Sequence, residues 1–327
     1  MLIERLGRAV QQSNLGLGRA METLWLRPTD RGPIRMPLMA VCGAPRTGST
    51  LIYQLLSQAF EVFFISNLQN VLFRTPLLGQ VLAARRGGAY VSDYRSTGGF
   101  VAGMNGPAEA MHFWRYWCDH QLTDSPPKPH PRRLARLERV LNAVYRRIGR
   151  PLLSGYLPHS FYTTHLGELF PKCLFVRTDR DMLDAAYSAL KRWRATAGES
   201  LSDDLGYFYG TRPPEVLGEM TQQEYVARQQ YFVARQMDAA EERHPERFFH
   251  ADYAAVCADP RSLISRLGEA LTSAGIEVST RRDLELPERF RATSYERDQD
   301  EDLVRIAAEL DRLHSEFGST GGVYRHA

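Results

Sequence analysis

Cysteine is scarce in this chain, with four among 327 residues, at positions 42, 118, 173 and 257. No two stand at a spacing suited to zinc, and Cys42 and Cys173 lie inside apolar runs. The four read as reduced core thiols of a cytoplasmic protein, and no metal site is expected. Long apolar runs are missing as well. No segment reaches the roughly eighteen apolar residues that span a bilayer. The first residues lack the compact apolar block and cleavage site of a signal peptide. Nor does one sign of charge dominate. The 41 basic and 38 acidic residues leave a net charge of +3, too even a balance to point to nucleic acid. Hydrophobic residues make up 43% of the chain, enough for the core of one large α/β domain.

Against these absences stands one stretch, Leu38 to Leu55. Leu38 to Cys42 is an unbroken apolar run of strand length, and Leu51, Leu55 and Leu56 recur at helical spacing. Gly43, Pro45 and Gly48 break the chain between them. A loop that opens a helix in this way directs the amides of Thr47, Gly48, Ser49 and Thr50 into one concavity at the positive end of the helix dipole, where an anion binds. The spacing G-x-x-x-x-G-x-T is that of triphosphate-binding loops, but Ser49 stands in the lysine position and the basic group has moved to Arg46. Kinase chemistry wants that lysine and a magnesium ion. A kinase using ATP and magnesium, and a nucleotide binder without catalysis, stay as alternatives.

Pro45 to Thr50 resembles the 5′-phosphosulfate loop of sulfotransferases that use 3′-phosphoadenosine 5′-phosphosulfate (PAPS), in which a basic residue follows the proline. Two further segments match in the family's order. Lys172 to Tyr187 is a buried strand leading into a helix, with Arg177 in place of the arginine that holds the 3′-phosphate. The serine expected eight residues on is Ala185 here, and Ser188, further along that helix, is the substitute. Phe248 to Pro260 resembles the last strand and the Asp-Pro helix start, and Asp259 with Pro260 is sound capping chemistry in its own right.

The resemblance implies a three-layer α/β sandwich like that of P-loop nucleotide hydrolases, with a central, mostly parallel sheet and the site at the carboxyl ends of its strands. Residues 37–327 would form the domain, with 85–150 and 195–245 as acceptor-side insertions. The implied reaction is in-line transfer of a sulfuryl group from PAPS to an acceptor hydroxyl, leaving PAP. By the same resemblance the cofactor site is Arg46, Thr47, Gly48, Ser49, Thr50, Arg177 and Ser188. The catalytic set is Arg46 with a base, Glu109 or His112.

Those two acid–base candidates sit in the densest aromatic stretch. Pro107 reads as the first residue of a helix, which puts Glu109 and His112 on one face, close to Trp114 and Trp117. A glycine-rich loop, 85–106, precedes it. Together they suggest a small-molecule or glycan acceptor with sugar rings stacked on the aromatics, and would suit a phenol or a lipid tail nearly as well. Strands are expected at Phe60 to Ile65 and Leu152 to Leu157, and a lid or an acceptor wall at Leu205 to Pro214; the resemblance implies a 3′-phosphate contact from Gly321, Gly322 and Arg325. Residues 1–36 read as a helical leader with a proline-rich linker. The leader's apolar stripe, Leu17, Met21 and Leu24 included, is open between packing on its own domain, on a second subunit or peripherally on a membrane. Oligomeric state is not legible.

Overall fold

The computed structural model describes residues 15–87, 90–197, 211–282, 285–296, 300–322 and 324. Its centre is a five-stranded sheet: β1 (Leu38–Gly43), β2 (Phe63–Phe64), β3 (Leu152–Ser154), β4 (Cys173–Asp179) and β5 (Phe248–Asp252). The order is β2-β3-β1-β4-β5, and every pairing is parallel. Parallel strands need covered crossovers, so helices lie on both faces. Those used below are α1 (Leu15–Trp25), α2 (Ser49–Ala59), α3 (Pro76–Arg86), α4 (Met111–Cys118), α5 (Pro131–Ile148), α6 (Met182–Ala197), α7 (Gln222–Glu241) and α8 (Glu301–Phe317).

Side chains alternate across the sheet. Leu38, Ala40, Cys42, Cys173 and Phe175 pack toward α4 and α5, and Met39, Val41, Leu174 and Val176 pack toward α2 and the helix Pro260–Ser273. A separate apolar cluster joins α6, α7 and α8. These faces are continuous hydrophobic surfaces, which is why the strands read as unbroken apolar runs.

Boundaries move where tertiary contacts override local pattern. The second strand keeps only Phe63–Phe64 of the expected Phe60 to Ile65. The third stops at Ser154, and Leu157 begins a 3-10 turn that carries Ser160 under the loop after β1, where its hydroxyl accepts from Gly43 N. Pro107 does not start a helix. It forms an antiparallel bridge with Ser66, Ala108 N donates to Ile65 O at 2.9 Å, and Ala110 adopts φ +59°, so α4 begins only at Met111. Asp259 caps the following helix as expected, accepting the amides of Arg261 and Ser262. Met1 to Asn14, Leu205 to Gly210 of the expected lid, and Arg325 lie outside the described residues.

Candidate active site

Residues 44–48 connect β1 to α2, and the turn is made by left-handed residues. Arg46 has φ +69°, uncommon for a residue with a side chain. Two donors hold its backbone there: Gln230 Nε2 to Pro45 O and Arg180 Nη1 to Arg46 O, each at 2.9 Å. Gly48, φ +90°, is the N-cap of α2, and a Cβ at this position would run into the Tyr253 ring. Glycine brings no capping side chain, so the first-turn amides of α2 stand open at the positive end of its dipole. The Thr47 hydroxyl turns inward, 2.8 Å from Ala44 O and 2.6 Å from Thr178 Oγ1, and ties the loop to β4.

The loop opens on a cavity of about 410 Å³, whose walls include Arg46, Ser49, Thr50, Arg180, Tyr253 and Glu109. Arg180 lies just past the end of β4. Its guanidinium sits 4.7 Å from the centre of the Tyr253 ring, donates to Thr293 O at 2.7 Å, and keeps a buried Nε without a hydrogen-bond partner. Ser188 on α6 accepts from Arg46 Nε at 3.2 Å. Arg46, Arg180 and Ser188 thus form one connected group of donors beside the open helix start.

Glu109 lines the same cavity. It stands on the extended segment between the Ser66–Pro107 bridge and Ala110; Ala108 and Ala110 point into the core, which by alternation turns Glu109 the other way. Burial raises its carboxyl to about 7. Over it lies a two-residue hairpin, Gly98 (φ +60°) and Gly99 (φ +90°), closed by reciprocal Thr97–Phe100 hydrogen bonds of 2.9 and 3.1 Å. A Cβ on Gly99 would collide with Glu109 Oε1. One on Gly98 would come 2.9 Å from Arg192 Nη2, and Arg192 also lines the cavity.

Residues 37–277 match the model of the sulfotransferase family. The chain belongs to that family. Among solved structures, the sulfotransferase resembles STF9 from Mycobacterium avium at 21% identity and a TM-score of 0.51, covering 89% of this chain and 79% of that one. STF1 from Mycobacterium tuberculosis H37Rv follows at 14% identity and 0.48, covering 84% and 75%. The sulfotransferase domain of the Synechococcus PCC 7002 olefin synthase gives 14% and 0.35, covering 88% and 85%. No curated protein matches this sulfotransferase significantly.

The sulfotransferase brings Arg46, Gly48, Ser49, Thr50, Ser188 and Glu109 to one region and sends other expected residues elsewhere. Arg177 is 2% exposed and does not line the cavity that holds Arg46 and Arg180. It shares the sheet face of Cys173 and Phe175, under α7, where Asp179 (3.1 Å), Asp238 (2.7 Å) and Glu241 (3.0 Å) surround its guanidinium. His250 bridges Asp179 and Glu241 at 2.6 and 2.7 Å, and those carboxylates raise it to about 9. His112 is exposed, its ring stacked on Phe73 at 5.8 Å, and is not among the cavity-lining residues, because α4 starts after Glu109 and the two share no helical face. Trp114 and Trp117 are fully buried core residues rather than an acceptor platform. Gly322 lines a small crevice beside Arg177, and Gly321 N donates to Asp238 Oδ2 at 2.9 Å.

Arg180, Arg192 and Tyr253 are the cavity residues that sequence reasoning missed. A signal for Arg180 was present: it stands eight residues before Ser188, the spacing sought in vain from Arg177 to Ala185. Nothing comparable marked Arg192.

Proposed function

We propose that this sulfotransferase moves a sulfuryl group from PAPS to a hydroxyl of a carbohydrate-type acceptor. The observation that supports the reading is the convergence of Arg46, Arg180 and Ser188 at an open helix start, with Glu109 lining the same cavity.

The donor set fits a nucleotide with phosphates at both ends. The first-turn amides of α2 and Arg46 suit the 5′-phosphosulfate. Arg180, with its unpartnered Nε, and Ser188 suit the 3′-phosphate, the role first expected of Arg177. When bound, PAPS supplies the activated sulfuryl group, and PAP leaves as the acceptor oxygen takes over the sulfur. Arg46 and the loop amides neutralise the charge that gathers on the departing phosphate oxygen. Glu109 Oε receives the proton of the acceptor hydroxyl. With its carboxyl raised to about 7, a substantial fraction is ionised near neutral pH and its basicity is matched to the task. Ser96, Thr97 and the Gly98–Gly99 backbone offer hydroxyl and peptide groups beside it, a lining suited to a polyhydroxylated acceptor.

Calorimetric titration with PAP, and separately with ATP and magnesium, tests the donor. Metal-independent PAP binding that is lost in Arg46→Ala supports the reading. Binding of ATP with magnesium but not of PAP would replace it with a kinase. Given PAP binding, sulfated product from a panel of sugars, phenols and aliphatic alcohols identifies the acceptor class.

A further inference from the structure

Helix α1 turns Gly18, Glu22 and Trp25 inward. Gly18 packs against Thr75 and Leu78, and Glu22 is fully buried. Glu22 Oε1 accepts the amides of Leu77 and Leu78 at the start of α3, at 2.8 and 3.2 Å, and Oε2 accepts from Arg136 at 2.9 Å. The outward residues are Leu17, Met21 and Leu24, which are 68%, 38% and 84% exposed and recur on one helical face. Polar anchors, with Trp25 packed against the main core, fasten this helix while Leu17, Met21 and Leu24 face out.

The surroundings are basic. Residues 15–35 and 131–148 carry ten arginines, no lysine and three carboxylates. Two of those carboxylates, Glu22 and Asp30, are buried against Arg136 and Arg146. Arg27, Arg31, Arg132, Arg133 and Arg147 remain exposed. These arginines border α1: Arg147 lies 5.7 Å from the Trp25 ring centre at its end, and Arg133 covers Tyr116, which accepts from Arg19 of α1.

We infer that α1 docks on an anionic lipid surface, with Leu17, Met21 and Leu24 entering the acyl boundary and the arginines of α1, the linker and α5 meeting phosphate headgroups. An interfacial helix succeeds with few apolar side chains when basic groups draw it to the surface. A stable protein interface buries about 800 Å² per partner, more than a three-residue stripe supplies. Two copies meeting here would also oppose arginine to arginine. The docking is independent of the sulfuryl-transfer reading.

Co-sedimentation of the full chain with vesicles of phosphatidylcholine, with and without phosphatidylglycerol, tests it. Capture by the anionic vesicles alone is expected. It should be released at about 1 M salt, where the screening length falls to about 3 Å. Leu17→Glu/Leu24→Glu should weaken capture by tenfold or more, and Arg132→Ser/Arg133→Ser/Arg147→Ser should weaken it separately, with circular dichroism unchanged in both. The inference is overturned by no capture, by capture that survives the leucine exchanges, or by a concentration-dependent dimer in ultracentrifugation that Leu24→Glu dissolves.

Discussion

Arg180 holds the backbone of Arg46, donating to its carbonyl oxygen at 2.9 Å, and so one cavity arginine fixes the left-handed turn that carries the other. Arg46 in turn reaches Ser188 on α6. Loop, strand end and helix are therefore coupled through side chains, and the two arginines at the end of β4 separate into different roles.

Arg180→Ala should lower PAP affinity by at least the roughly 10- to 100-fold of one charge-assisted contact, because Arg46 O loses its donor as well, with stability falling less than in Arg177→Ala. Arg177→Ala should do the reverse. Removing a buried cation from among Asp179, Asp238 and Glu241 leaves carboxylates uncompensated and costs roughly 3–5 kcal/mol of stability. Calorimetry and denaturant titration on both variants check the assignment; equal PAP losses with unchanged stability in both would refute it.

Glu109→Gln should reduce kcat by roughly 10² to 10⁴ while PAP binding is retained. In the parent protein, activity should rise with pH through about 7 as the carboxyl ionises. A pH–rate profile shows this, and a flat profile from pH 5.5 to 8.5 would remove Glu109 from the chemistry.

Gly99→Ala places a methyl group against Glu109 Oε1 on a residue at φ +90°. Strain of about 1–2 kcal/mol and displacement of the carboxylate are expected together. Turnover should fall with PAP affinity unchanged, and steady-state kinetics beside PAP titration separate the two effects.

His250 titrates at about 9 because Asp179 and Glu241 favour its charged form. Its contribution to stability is complete below its ordinary value near 6.5 and is lost as pH rises through about 9. Half-exposure keeps the effect modest. Melting curves between pH 6 and 9.5 should show a decline that His250→Gln flattens; an unchanged slope in the variant would mean that the bridge carries no weight.

The strand, turn and helix from Leu38 to Leu55 were legible because their signals are local. A buried strand, three breakers and a helix start lie within 18 residues, and the structure keeps that order from Leu38 to Leu55. The parallel sheet was legible for a related reason: strands covered on both faces must be apolar throughout. The Glu109–His112 pair was misread because a proline at a helix start and a proline in a bridge carry the same local signal. Only the pairing of Pro107 with Ser66 separates them. Trp114 and Trp117 misled similarly, since an aromatic stripe at helical spacing marks core and binding wall alike.

What the sequence by itself determined is the set of short-range choices: where strands and helices run, which glycine turns the loop, and that a helix start without a capping side chain follows it. Which arginine lines the cavity there was decided by tertiary structure. Arg177 and Arg180 are three residues apart and chemically identical, but strand alternation turns the first under α7 into a nest of carboxylates, while the second, past the strand's end, escapes the alternation and reaches the cavity. The orientation of α1 was decided in the same way. Its stripe was plain in the sequence, but only the burial of Glu22 against the amides of α3 shows that the apolar side faces outward.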